Sequence, residues 1–221
     1  CSEIYAANPG VEGLILLKHG IFTFGETARE AYERMIEMVS LAETRLAASS
    51  KSFVSSWDGG EVASPSEFLP ILRGLVSGAT GAAGPSGTPK GLILDHRKSD
   101  AAMAFVNGDD IARYAQAGPV TPDHVIRTKP WPLIVPTPRS GALAQFRAAV
   151  VTALREYEDA YNAYFERNNA GQTTPKIALD PIPRIILVPG VGLIGLGASA
   201  KAAAIAADLA ETTARVVIQS E

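Results

Sequence analysis

Two stretches of the chain follow one plan, and that plan leaves the fold little freedom. Leu16-Leu17-Lys18-His19-Gly20-Ile21-Phe22-Thr23-Phe24-Gly25 precedes a helix-like run, and Val188-Pro189-Gly190-Val191-Gly192-Leu193-Ile194-Gly195-Leu196-Gly197 precedes another. Pairing Gly20 with Gly192 and Gly25 with Gly197 gives one offset, 192 − 20 = 197 − 25 = 172. Thr27 then meets Ser199, Arg29 meets Lys201 and Ala31 meets Ala203. Farther on, Leu41-Ala42-Glu43-Thr44 returns as Leu209-Ala210-Glu211-Thr212 at an offset of 168, so the second helix arrives there four residues sooner. Four residues is close to one helical turn of about 3.6, which preserves the buried face. The chain therefore carries two copies of one supersecondary unit.

Within the first copy, Gly13-Leu14-Ile15-Leu16-Leu17 is a short apolar run with flanking glycine, which reads as a strand buried on both faces. The helix after it is expected over 27–48. Ala28, Ala31, Tyr32, Met35, Val39, Ala42 and Leu46 recur at three and four residue steps and predict one buried stripe. Thr27 and Glu30 form a T-x-x-E capping box at its start. Residues 77–91 are dominated by Gly, Ala, Pro, Ser and Thr without an apolar period, so they read as a flexible connection. This divides the chain into 1–76, a linker at 77–91, and 92–221.

In the last part, Leu92-Ile93-Leu94 reads as a strand, and 99–106 and 109–116 as short helices. A long helix is expected over 143–168, with Phe146, Val150, Leu154, Tyr157 and Tyr161 on its apolar side. Ile185–Val188 reads as a strand, and 199–213 as an Ala-rich helix leading into the β-like run Arg215-Val216-Val217-Ile218. Strands alternating with helices place the chain in the α/β class.

The 221 residues are 47% hydrophobic and 19% charged, a globular composition, and they carry a formal charge of −3. That balance argues against a nucleic-acid surface, which needs a basic face. Cys1 is the only cysteine, which excludes a disulfide framework and suits a reducing, cytoplasmic setting. The uncharged stretch at 185–200 holds a proline and several glycines and falls short of the roughly 18–20 apolar residues of a membrane span. The chain opens on Cys rather than Met and shows no signal peptide, which reads as an N-terminus that has been lost.

Three histidines carry the chemical potential of the chain. His19, in Lys18-His19-Gly20 between two strand-like runs, has the placement of a metal-binding imidazole. Zinc takes three or four ligands, however, and no H-x-H or H-E-x-x-H lies nearby. The alternative is a buried histidine hydrogen-bonded to backbone. His96 and His124 each follow an aspartate, and neither has a nucleophile at a spacing that suggests a hydrolase triad. Convergence of all three on one metal is a further, weaker reading. Gly190-Val191-Gly192-Leu193-Ile194-Gly195 matches G-x-G-x-x-G after a strand, and Glu221 follows 26 residues beyond its last glycine, which on pattern alone is a dinucleotide fingerprint. The repeat gives those glycines a rival explanation, since they align with the turn around His19. Tyr157, Tyr161, Tyr164 and Phe165 read as helix core or as a contact between subunits, which leaves a homo-oligomer open.

The stretch 13–25, with its His-Gly turn and the capped helix after it, resembles the last zinc-histidine motif of the class II aldolase/adducin family. Pro122-Asp123-His124-Val125-Ile126-Arg127-Thr128-Lys129 and the stretch 186–197 resemble one branch of it, the bifunctional rhamnulose-phosphate aldolase/short-chain dehydrogenases. The resemblance implies a three-layer α/β/α fold and zinc-dependent cleavage of a ketose phosphate to dihydroxyacetone phosphate and an aldehyde. It implies Zn²⁺ acting as a Lewis acid on the substrate carbonyl, with a carboxylate moving the proton. It implies that His19 is a metal ligand and that the small-molecule partner is a sugar phosphate. The family's H-x-H pair, catalytic Glu and phosphate loop precede the His-Gly motif, where this chain has 18 residues. In the second copy Thr121-Pro122-Asp123 stands in the place of H-x-H-P-D, and Val191 in the place of His19. Their spacing, 191 − 121 = 70, puts the first copy's expected histidines about that far upstream of His19, outside this chain. A dehydrogenase domain is expected beyond Glu221. The competing readings are a non-catalytic adducin-like interaction module and a nucleotide-binding oxidoreductase domain built on Gly190, Gly192 and Gly195.

Overall fold

A computed structural model describes residues 1–48, 53–79 and 91–221, with the side chain of residue 79 left out. The chain opens with α1 (Ser2–Ala7), β1 (Gly13–Leu16), β2 (Gly20–Thr23) and α2 (Ala28–Ala47). Then come α3 (Pro65–Ala79), β3 (Ile93–Arg97), α4 (Asp100–Asn107) and α5 (Ile111–Tyr114). A 3-10 turn, Pro122–His124, leads into α6 (Val125–Thr128) and β4 (Leu133–Ile134). The long α7 (Leu143–Asn169), β5 (Ile185–Val188), β6 (Gly192–Gly197) and α8 (Ala200–Ser220) complete it.

The four-stranded sheet has the order β3-β6-β5-β4, antiparallel except for the parallel β5–β4 pair. Both central strands are buried along their whole length. Alternation splits β5 between two layers. Ile186 and Val188 join Phe68, Leu72 and Val76 of α3 and Phe146, Val150 and Leu154 of α7. Ile185 and Leu187 point the other way, toward Phe105 and Val106 of α4 and Ala207, Ala210 and Ala214 of α8. The result is three layers, α/β/α, as expected.

Glycine and alanine set the spacing on the α8 side. A Cβ on Gly195 would lie 2.4 Å from the carbonyl of Ala203 and 2.6 Å from the nitrogen of Ala207. Gly195 and Gly197 lie on the same face as Leu193, which packs in the α8 layer, and with small residues on both sides the helix backbone settles directly on the strand. Arg97, oriented by Asp95 of the same strand at 2.7 Å, pins the helix to β3 through Asp208 at 3.1 Å and Glu211 at 3.5 Å.

The repeat is visible in the backbone. Adding 172 to the bounds of β1 gives those of β5, and Gly20 and Ala28 become Gly192 and Ala200, where β6 and α8 begin. Register matches as well: Gly13 faces Thr23 as Ile185 faces Gly195, and Leu16 faces Gly20 as Val188 faces Gly192. Thr27 accepts from the Glu30 amide as Ser199 does from the Ala202 amide, so both helices start on the same cap.

The surroundings of the two copies differ, and this corrects two expectations. The β1 run is not buried on both faces: Ile15 is 78% exposed and Leu17 is 92% exposed. The stripe on α2 is not buried either, since Tyr32, Val39 and Leu46 are exposed and the helix has no buried residue. Among the described residues β1 and β2 pair only with each other, whereas β5 and β6 sit inside a sheet covered on both sides.

Three further differences concern boundaries. Residues 80–90 of the expected linker lie outside the described residues, while 77–79 belong to α3. Although α3 precedes that stretch, it packs in the core of the 92–221 region through Phe68, Leu72 and Val76, and Phe53 also packs there. Ser64 and Glu67 cap α3, with the Glu67 carboxylate accepting from the Ser64 amide at 2.9 Å. The β-like run at 215–218 is instead the last part of α8, where Val217 and Ile218 pack against the core. Packing of an amphipathic face outweighs the modest helix penalty of β-branched residues.

Candidate functional site

His19 stands at the tip of the first hairpin. Its amide donates to the Leu16 carbonyl at 2.9 Å, and the tight turn is completed by Lys18 at φ 58° and Gly20 at φ 140°. The ring is exposed and stacks on Phe22, with centroids 6.1 Å apart and planes at 20°. It is not the buried, backbone-bonded histidine of the alternative reading. Lys18 donates to the Ala117 carbonyl, which ties the tip to the larger body. At the base, Arg34 binds Glu30 at 2.7 Å and Glu12 at 3.6 Å and donates to the Phe24 carbonyl at 2.6 Å. The hairpin thereby presents one exposed imidazole, with no hydrogen bond to its ring among the described residues, from a braced turn.

The equivalent turn in the second copy keeps the backbone and changes the chemistry. The Val191 amide donates to the Val188 carbonyl at 3.0 Å, and Gly190 adopts φ 75° where Lys18 adopts 58°. Val191 is 2% exposed and packs in the core. Trp57 covers Gly190 so closely that a Cβ there would lie 2.1 Å from the indole.

The other histidines go elsewhere. Nε2 of His96, on β3, lies 3.0 Å from the Val191 carbonyl, and its ring stands edge-on to Phe68. His124 ends the 3-10 turn with a buried Nδ1 that has no hydrogen-bond partner among the described residues. Among the described residues no three His, Cys, Asp or Glu side chains gather as metal donors, so the three histidines do not converge. One imidazole does not make a zinc site, which takes three or four protein or water ligands, and the donor set within this chain does not fit the metal by itself.

The dinucleotide reading of Gly190, Gly192 and Gly195 also fails on geometry. That fingerprint needs a strand passing directly into a helix whose amino end faces pyrophosphate. Here the glycines lie in and after the turn of an antiparallel hairpin, and α8 begins at Ala200. Space beside them is filled by Trp57 at Gly190, by the Arg97 carbonyl at Gly192 and by α8 at Gly195. The tyrosines of α7 are core: Tyr157 and Tyr161 are buried, and the Tyr157 hydroxyl donates to the Trp131 carbonyl at 3.2 Å.

Lys129 escaped sequence reasoning, because a lysine before proline reads as ordinary extended chain. It has φ 64° and ψ 173°, rare for any residue but glycine, and is 3% exposed. Its Nζ lies 4.1 Å from the centre of the Tyr161 ring and donates to the Asp180 carbonyl. Burial pushes its pKa down to about 8, against an opposing pull from Asp180.

The family description "Aldolase class II, second domain" matches residues 63–221, and "Class II Aldolase and Adducin N-terminal domain" matches residues 2–46. A curated relative, named as the uncharacterized oxidoreductase YuxG of Bacillus subtilis (strain 168), is 27% identical over 209 residues. That alignment takes in 90% of this chain and 28% of the relative, so the chain spans well under half of the curated protein it matches. No solved structure matches. No helix among the described residues is long and apolar enough to cross a membrane.

Proposed function

Since the chain belongs to the class II aldolase family, we propose that it forms part of a cytoplasmic aldolase that cleaves a ketose phosphate of the rhamnulose-phosphate type, within a protein that also carries a dehydrogenase domain. The products are dihydroxyacetone phosphate and an aldehyde. His19 is one ligand of the zinc ion, and the other ligands and the proton-transferring carboxylate come from outside these 221 residues.

One observation carries this reading: the same hairpin and capped helix occur twice, and only one copy keeps an exposed imidazole at its tip. Val191 takes that position in the second copy, buried and without donor atoms. The second copy is a scaffold, and the first is the catalytic remnant. Its uncovered faces on β1 and α2 are where the rest of the catalytic module packs.

The test uses the longer protein. Incubated with rhamnulose phosphate, it releases dihydroxyacetone phosphate, and His19→Ala lowers kcat by at least about a hundredfold with the fold intact. Val191→Ala leaves kcat within about threefold, as a scaffold position should. Full cleavage by the His19→Ala protein contradicts the assignment. Absence of cleavage from the unaltered protein favours the non-catalytic, adducin-like reading.

A further inference from the structure

The two copies carry equivalent grooves beside the amino ends of their helices, and the charge of the groove is reversed between them. In the first copy the groove is lined by Glu12, Glu26 and Glu30 with Arg34, three carboxylates against one guanidinium. In the second, each of those glutamates has a counterpart at the 172-residue offset: Arg184, Ala198 and Ala202. Arg127 of α6 is added from the side, and Asp180 is the one carboxylate among the described lining residues.

The arginines are placed differently. Arg184 is held by Asp180 at 2.6 and 2.9 Å and donates to the Ile182 carbonyl at 3.0 Å, so it is fixed at the groove wall. Arg127 is exposed, and its guanidinium makes no ion pair or hydrogen bond among the described residues. Asp180 is offset by Arg184 and by Lys129, which donates to its carbonyl, leaving the groove with a positive excess. The floor is apolar, made by Ile182, Leu196 and Leu92, with exposed Ile126 at the rim.

We propose that this groove binds a small phosphate monoester. The phosphate sits between Arg127 and Arg184 beside the start of α8, and the carbon skeleton lies on the Ile182–Leu196 floor. Guanidinium groups bind phosphate through charge-assisted, often paired hydrogen bonds, and the positive end of a helix dipole adds to the attraction. A nucleic-acid backbone does not fit, because the chain is net negative and this groove is a local feature of small extent. The site does not involve His19 and does not depend on the metal assignment.

Calorimetric titration of the protein, at constant ionic strength and with chelator present, tests this with inorganic phosphate, glycerol phosphate and glycerol. Saturable binding of both phosphates is expected, tighter for the ester, with none for glycerol. Arg127→Ala weakens it by about tenfold. Ala202→Glu, which installs the carboxylate that Glu30 supplies in the first copy, abolishes it. The second variant tests the groove without losing the fold, since Glu30 already occupies the equivalent place beside Gly25. Heats that stay linear up to the highest ligand concentration, or binding that neither variant alters, overturn the proposal.

Discussion

At the scale of single residues, the turn position shared by His19 and Val191 shows how one backbone serves two purposes. The hydrogen bond across the turn and the left-handed conformation two residues after the strand are common to both, and only the side chain decides between an open imidazole and a core contact. Lys129 is the other informative residue. Its folded pKa of about 8 lies below the ordinary 10.5, so between these values the unfolded chain binds more protons than the folded one. Stability contributed at this position therefore rises as pH increases from about 8. The groups facing the amine are Asp180, Arg184 and Tyr161, and burial dominates all of them. Comparing urea midpoints of the protein with those of Lys129→Met, which removes the proton, should show the rise between pH 8 and 9.5 in the unaltered chain only. Equal slopes would mean that the amine titrates normally.

At the scale of elements, the same strand-turn-strand-helix unit has two fates. β5, β6 and α8 are locked into a sheet with helices on both faces, while β1, β2 and α2 keep large apolar side chains in contact with water. Local stability follows buried contacts. In the 221-residue chain, amide exchange in α2 and β1 should therefore be faster than in α8 and β5 by at least about tenfold, despite equivalent caps. Equal protection of the two copies would show that α2 has a packing partner in solution. What the sequence made legible was the elements themselves. The capped start of α2, the bounds of β5 and the apolar side of α7 all follow from local periodicity and turn chemistry. It could not tell what covers them. Gly13-Leu14-Ile15-Leu16-Leu17 read as a buried strand and Ile185-Ile186-Leu187-Val188 simply as a strand, yet only the second is buried, because an apolar run states what a strand tolerates and not which layers are present to cover it.

At the scale of the whole molecule, the three-layer body formed by 53–79 and 91–221 adjoins a more exposed hairpin–helix unit that carries the exposed imidazole of His19. The repeat was visible in the sequence because glycine turns and caps leave sharp marks. The groove beside α8 was not, since Arg127 of α6 and Arg184, just before β5, lie far apart in the sequence and line one groove only because α6 packs against α8. The proposed aldolase activity depends on His19 being a metal ligand. Zinc content of the purified longer protein, measured by elemental analysis beside its His19→Ala variant, tests that most directly. One zinc per chain is predicted for the former and less than about a tenth of that for the latter; equal, stoichiometric zinc in both would contradict it.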